Sequence, residues 1–333
     1  MASTTQPEIS AREPTLDDVR VAARRLRGVV ARTPLLHPAT PGFPLAGTVV
    51  LKPESLQVTG SFKPRGAYNK LASLTPEERA RGVVAFSSGN HAQGVAYAAR
   101  LLGVPATIIM PTNAVAAKLE ATKALGAAVI QIGTTSQERL EYGAALARER
   151  GASLVPSYDD PMIMAGQGTI GLEIVEDLPN VEAVVVPVGG GGMLSGIALA
   201  IKSQRPEVRV IGAEPSGAAD AQASLRGGHI VTWERPDTIA DGLRATHLGT
   251  LPFALISRLV DDIVTVGDDE IRAAVLALHR CAKLVVEPSG AVAMAALMHG
   301  KTGVEQKRTV AVLSGGNIDP AVLGGWLLEG GAT

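Results

Sequence analysis

Aromatic residues are scarce, cysteine is nearly absent and net charge is close to zero, and each shortage removes a class of function. Phe, Trp and Tyr make up 3% of the 333 residues, too few for the stacking platforms that single-stranded nucleic acid needs. The formal net charge is −1, with no basic block of the kind that neutralises a phosphate backbone. The one locally basic stretch, RVAARRLRGVVAR (20–32), alternates Arg with apolar residues and reads as an amphipathic helix with a solvated face. A single cysteine, Cys281, excludes an intrachain disulfide and is compatible with a reducing compartment. The segment MASTTQPEISAREPT has no hydrophobic signal core, and no apolar run approaches membrane-spanning length. The expectation is a cytoplasmic protein that binds neither nucleic acid nor membrane. The six histidines (37, 91, 229, 247, 279 and 299) show no metal-ligand spacing.

What the chain has is apolar residues at 46% against 19% charged, enough to bury one large or two modest domains. Short β-branched runs alternate with Ala-rich helical stretches. GVVAFSS, PATIIMP and AAVIQIG read as strands, each followed by a helix that stops near Gly103, Gly126 or Gly151. The rhythm resumes with VEAVVVPVGGGG, VRVIGAEP, DDIVTV and RTVAVLSGGN, separated by further helices. This β-α-β-α order implies parallel sheets covered on both faces, in two α/β blocks, one near 80–155 and one from about 165 onward. Ligands of such sheets bind at the carboxyl ends of strands.

Three strand-end loops stand out. In VVVPVGGGGMLSG, Gly189, Gly190, Gly191 and Gly192 follow a buried strand and open a helix. Backbone N–H groups there can converge on an anion, and the helix dipole adds positive potential. The bland alternative is a tight turn, but four glycines exceed what a turn needs. No Lys-Ser/Thr pair follows, so the loop is not a Walker loop, and it fits the dinucleotide fingerprint poorly, although Glu214 lies near the expected acidic position. In VVAFSSGNHAQG, Ser87, Ser88, Gly89, Asn90 and His91 offer hydroxyls, an amide and open N–H groups that suit a carboxylate, or equally an ordinary helix cap. In TVAVLSGGN, Ser314 precedes two glycines, and on that fragment alone it is a turn residue.

A lysine completes the set. Lys63, in TGSFKPRGA, is bracketed by Gly60 and Gly66 and walled by Phe62, unlike Lys52, Lys70, Lys118 and Lys123, which read as ordinary exposed lysines. A constrained lysine, a phosphate cradle and a carboxylate loop are the parts of a pyridoxal phosphate enzyme, whose lysine forms a Schiff base with the cofactor aldehyde. A nucleotide- or NAD-linked protein using the glycine loop alone remains the alternative.

SFKPRGA, SSGNHAQG, AGQGTIGLEI, PVGGGGMLSG, ADGL and LSGGN occur in this order, and the chain resembles the fold-type II pyridoxal phosphate enzymes, above all the serine/threonine dehydratases and serine racemase, from about residue 15 to about residue 325. The resemblance implies a tryptophan synthase β-like fold of two doubly wound open parallel sheets. It implies a large domain (1–77 and 160–333) with a small mobile domain (78–159) inserted, no C-terminal regulatory domain, and a homodimer. Lys63 would carry the cofactor and act as base at Cα, with Phe62 beside the ring. Asn90 would bond the 3-hydroxyl, Gly189–Gly192 and Met193 the phosphate, and Ser314 the pyridine nitrogen, with Gly242 near the other face. Ser87, Asn90 and His91 would hold the substrate carboxylate.

A serine at the pyridine nitrogen cannot supply a formal positive charge, which favours β-elimination over transamination. The implied reaction takes water from a β-hydroxyamino acid of the threonine or serine type, giving a 2-oxo acid and ammonia. 3-Hydroxyaspartate and phenylserine share the same amino acid head. Ser88 opens a second reading, since serine racemase has a second serine there: its hydroxyl, opposite Lys63, would reprotonate Cα and invert it. GAEPSGAADAQ (212–222) resembles that racemase's cation loop, with Glu214, the Ala218 carbonyl and Asp220 as ligands for Mg²⁺, Mn²⁺ or Ca²⁺. An acidic surface loop is the plain alternative. Arg139 and the YDDP segment (158–161) are candidates for lining the entrance, with no chemical role assigned.

Overall fold

The computed structural model describes residues 12–329 apart from 39, 41, 46, 88 and 115. Among the described residues, nine strands form two fully parallel sheets. The strands are β1 (Val49–Pro53), β2 (Val83–Phe86), β3 (Ala106–Met110), β4 (Ala128–Gln131), β5 (Ser153–Leu154), β6 (Ala183–Pro187), β7 (Arg209–Pro215), β8 (Asp262–Val266) and β9 (Thr309–Leu313). One sheet has the order β1-β9-β6-β7-β8 and the other β4-β3-β2-β5.

Strand β6 shows why these residues make a central strand. Its five residues are all buried, and successive side chains point to opposite faces. Ala183 and Val185 meet the helices Asp268–Ala277 and Pro288–Met298, while Val184 and Val186 meet the helices Pro161–Asp177 and Gly192–Lys202. An uninterrupted apolar run is what a doubly covered parallel strand requires. In the smaller sheet, Val83 and Ala85 pack on the helices Lys63–Ser73 and Asn90–Leu102, and Val84 packs on the helix Ser136–Arg150.

The first helix is shifted from its expected place. It runs Leu16–Leu26, not 20–32. Thr15 and Asp18 form a capping box that fixes its start, and Gly28, at φ 76°, turns the chain just beyond its end. Arg27 therefore belongs to a turn, and Arg32 lies beyond it.

The helix Lys63–Ser73 joins the two sheets. Its Ala67 and Leu71 lie in the core of the smaller sheet, while Arg65 is fully buried on the other side. Its first residue is tied to the larger sheet, because Phe62 N–H donates to Ser314 O at 3.1 Å and Ser61 bridges Gly315. Gly94 allows the helix Asn90–Leu102 to touch it directly, since a Cβ there would lie 3.0 Å from the Lys63 carbonyl carbon.

Candidate active site

Strands β2, β6 and β9 end at one cavity of about 230 Å³. Phe62, Lys63, Ser87, Asn90, His91, Gly189–Gly192, Met193, Gly242 and Ser314 all line it. Residues from five segments far apart in sequence thus meet where strand-end loops diverge. Ser88 lies outside the described residues. Glu214, Ala218 and Asp220 are not among the cavity residues.

Lys63 Nζ donates to Ser157 O at 3.1 Å and stands 4.9 Å from the centroid of the Phe62 ring. Desolvation lowers its pKa to about 8, with Glu287 pulling weakly the other way. A lysine poised near neutrality can act as nucleophile and base. His91 is buried, and its Nε2 lies 3.0 Å from Val155 O. Burial, reinforced by Lys63, pushes its pKa down to about 3. The ring is therefore neutral, and what His91 offers an anion is its backbone N–H. The helix Asn90–Leu102 has Gly89 at its N-cap with no capping side chain, so its first N–H groups are open to a ligand. Ser87 is not the cap; its Oγ accepts from Gly89 N at 3.2 Å.

The glycine loop is closed on its outer side. A Cβ at Gly190 would lie 2.3 Å from the Tyr158 ring, and Gly191 has φ +87°. Gly192 opens a buried helix with no side-chain cap. Close approach thus requires glycine at Gly190, Gly191 and Gly192, and turn geometry requires it at Gly191 as well. Gly190→Ala is expected to weaken cofactor retention at least tenfold, as the loop shifts by more than a hydrogen-bond tolerance. Equilibrium titration of apoprotein with pyridoxal phosphate checks this.

At the opposite end, Ser314 Oγ donates weakly to Ser289 O at 3.3 Å, which leaves the hydroxyl able to turn toward a ring nitrogen. Gly242 N–H donates to Ser289 Oγ at 2.9 Å. Asn90 Nδ2 donates to Glu287 Oε1 at 2.5 Å, and Asn90 Oδ1 accepts from Asn317 Nδ2 at 2.7 Å. These features fit pyridoxal phosphate: an uncapped helix start for its phosphate, a desolvated amine for its aldehyde, and an amide and a hydroxyl for its ring polar atoms.

Sequence reasoning passed over Glu287, Ser289 and Lys118, all of which line the cavity, while Tyr158, from the YDDP segment, lines it as expected. Three of its exposed lysines are placed otherwise: Lys70 is half-buried and pairs with Asp160 at 2.6 Å. Lys52 is fully buried and pairs with Glu173 at 2.5 Å. Lys118 pairs with Asp241 at 2.5 Å across the cavity mouth. Arg139, a candidate for the entrance, also lines the cavity. No periodicity marks such residues, because their meaning depends on partners from other elements, which for Lys52, Lys118 and Glu287 lie more than a hundred positions away.

The sequence profile of the pyridoxal-phosphate dependent enzymes matches residues 26–315. The L-threonine ammonia-lyase of Thermotoga maritima is 50% identical over 305 residues, covering 92% of this chain and 76% of its own length. The L-threo-3-hydroxyaspartate ammonia-lyase of Pseudomonas is 45% identical over 302 residues, covering 91% and 95%. The structure of maize serine racemase superposes with a TM-score of 0.90 at 36% identity, covering 96% of this chain and 98% of that one. These findings set aside an NAD-linked protein using the glycine loop alone. With two parallel sheets and these relatives, the fold is that of fold-type II, and the chain belongs to the pyridoxal-phosphate dependent enzyme family.

Proposed function

We propose that the chain removes water from a β-hydroxy-α-amino acid of the L-threonine or L-serine type and releases a 2-oxo acid and ammonia. The observation that carries this is the desolvated amine of Lys63, in one cavity with the glycine loop and Ser314. Pyridoxal phosphate, when bound, supplies the carbonyl for covalent attachment and an electron sink for the substrate's Cα.

The chain supplies the rest. Lys63 would attach the cofactor and then take the Cα proton. Phe62 walls the ring, and Gly242, lacking a side chain, lets its other face approach. Backbone N–H groups of Gly189–Gly192 and Met193 hold the phosphate. Ser314 would meet the pyridine nitrogen with a hydroxyl, which adds no formal charge and would favour loss of the protonated β-hydroxyl as water over other fates. Ser87, Asn90 and the His91 backbone hold the substrate carboxylate at the uncapped helix start. The unit 78–159 acts as a small mobile domain on the large one (1–77 and 160–333), closing over substrate and excluding water. The Lys118–Asp241 pair at the cavity mouth supports this.

Glu214, the Ala218 carbonyl and Asp220 would hold a cation such as Mg²⁺, away from the cavity. Both carboxylates are buried, and Asp220 Oδ2 has no hydrogen-bond partner. Desolvation is the first cause that raises Glu214 to about 8 and Asp220 to about 7, and a divalent cation would let both stay ionised. A homodimer is supported by exposed apolar residues such as Val322 and Leu328 on the last helix. Among the described residues no helix is long and apolar enough to cross a membrane, and the free Cys281 suits a cytoplasmic setting.

Racemisation is the second reading, favoured by the likeness to maize serine racemase, with Ser88 as the proton donor opposite Lys63. Specificity for 3-hydroxyaspartate is a third, favoured by the cations Lys118, Arg139 and Arg244 on the cavity wall. One experiment separates them. Purified enzyme is given L-threonine, L-serine, L-threo-3-hydroxyaspartate and phenylserine; 2-oxo acid release and the chirality of recovered amino acid are measured. Threonine or serine is expected to give the fastest 2-oxo acid release, and Ser88→Ala to lose inversion while keeping elimination. Inversion outpacing 2-oxo acid release would replace the first reading with the second.

A further inference from the structure

We propose that Glu287 is a positioning residue, acting through Asn90 to fix which edge of that amide faces the cofactor. The proposal rests on the reading of the cavity as a pyridoxal phosphate site, and it concerns how the 3-oxygen of that cofactor finds its donor.

The geometry is a chain of hydrogen bonds with one allowed direction. Thr59 has φ 63°, a left-handed conformation that a threonine holds only under constraint. Its carbonyl accepts from Asn317 Nδ2 at 2.8 Å. A carbonyl cannot donate, so Asn317 must present its NH₂ group there, and the second hydrogen of that group reaches Asn90 Oδ1 at 2.7 Å. Asn90 is thereby oriented with Nδ2 toward Glu287 Oε1, at 2.5 Å. Were Asn90 flipped, oxygen would face oxygen at Glu287 and NH₂ would face NH₂ at Asn317. One hydrogen of Asn90 Nδ2 is used by Glu287. The other is left for the cavity, which both residues line.

Glu287 is itself held rigidly. It is the N-cap residue of the helix Pro288–Met298, it is 2% exposed, and its N–H donates to Gly315 O at 3.0 Å. Gly315 leaves it room, since a Cβ there would lie 2.3 Å from Glu287 Oε1. The charged groups facing it are Lys63 and Lys118 from two helices and Asp241 from the turn before Gly242. Burial raises its carboxyl to about 7, with Asp241 acting the same way and Lys118, Asn90 and Lys63 against it. An acid held there without a salt bridge to offset its burial is a poor device for stability. It is a suitable one for orienting an amide.

The sign of the linkage gives the test its control. A carboxyl raised in the folded state stabilises the fold at low pH and loses that contribution as pH rises through about 7. At pH 8, replacing Glu287 should therefore leave the melting temperature of the apoprotein unchanged or higher.

Wild type, Glu287→Gln and Glu287→Ala are compared as apoprotein and after reconstitution with pyridoxal phosphate. Glu287→Ala is expected to bind the cofactor about tenfold more weakly, because Asn90 Nδ2 loses a buried partner, and to shift its long-wavelength absorption band. Glu287→Gln keeps an acceptor oxygen at the same reach and is expected to restore binding to within about threefold of wild type. Its band should change less with pH between 6 and 8, because no carboxyl titrates beside Asn90. Unchanged cofactor affinity and spectrum in Glu287→Ala would overturn the proposal, as would losses in both variants that track a lowered apoprotein melting temperature. Failure of wild type to take up the cofactor at all would instead remove the reading on which the proposal rests.

Discussion

Lys63→Ala will yield a folded protein without a borohydride-reducible absorption band and with elimination slower by about 10⁴-fold or more. The substitution removes two functions from one atom: the covalent attachment of the cofactor, and the base at Cα, which alone contributes about 10²–10⁴-fold. The fold should not suffer. In the folded chain the amine's pKa falls to about 8 from 10.5, first through desolvation, so the unfolded chain binds more protons between those values and stability rises with pH across that window. Below about pH 8 the burial penalty is fully present, and removing the amine relieves it. Calorimetry of the apoprotein at pH 7 should show a melting temperature equal to or above wild type. A lower one would mean that Lys63 holds the fold together. The same shift sets the pH profile of cofactor uptake by wild type. The observed rate should rise roughly tenfold per pH unit below about pH 8 and level off above it, as the neutral amine becomes the major form.

Arg65→Ala will give the largest loss of stability, about 3–5 kcal/mol in denaturant unfolding. Two residues beyond Lys63, Arg65 is fully buried. Its Nε and Nη2 each donate to Glu54 at 2.8 Å, its Nη1 donates to Glu173 at 2.6 Å, and Nη1 also reaches Thr169 at 3.1 Å. Lys52 Nζ closes the network on Glu173 at 2.5 Å and on Thr33 O at 2.7 Å. Desolvation works against charge on both sides, but Arg65 holds Glu54 below the usual carboxylate range, and the two glutamates raise Arg65. Removing the guanidinium strands Glu54 and Glu173 with Lys52 as their remaining nearby cation. The deficit should be greatest near neutral pH and shrink on acidification. The Glu54 carboxyl, fully buried and without its guanidinium partner, then titrates above its unfolded value, so the folded state gains protons as pH falls. A deficit independent of pH would place the cost in packing alone. The network also anchors the start of the Lys63 helix, so Arg65→Lys, which lacks the bidentate fork, should recover only part of the loss.

The strands and helices were legible where local rules agree. AVVVP (183–187) could be read as a doubly covered strand because every residue is apolar, and Gly103 and Gly151 mark helix ends because both adopt left-handed φ at C-caps. The Leu16–Leu26 helix was misplaced because arginine periodicity continues past the turn at Gly28, while the capping box at Thr15 sets the true start. Strand β1 was not recognised from its five residues. It is ordered by pairing with β9, 260 positions away in register from Val49 to Thr309.

Composition and motif order determined the chemistry class of this protein: a lysine among glycines, an oligoglycine bend at a strand end and a serine after the last strand restrict the cofactor before any coordinate is known. Those features are local, and local backbone geometry is what short sequences encode. The tertiary structure decided which charges are buried and in whose company. Lys52 became an interior cation, Lys118 a group at the cavity mouth, and Glu287 the partner of Asn90. Burial and pairing depend on elements brought together by the packing of two sheets, and the energy of a charge is set by that surrounding medium rather than by its neighbours in the chain.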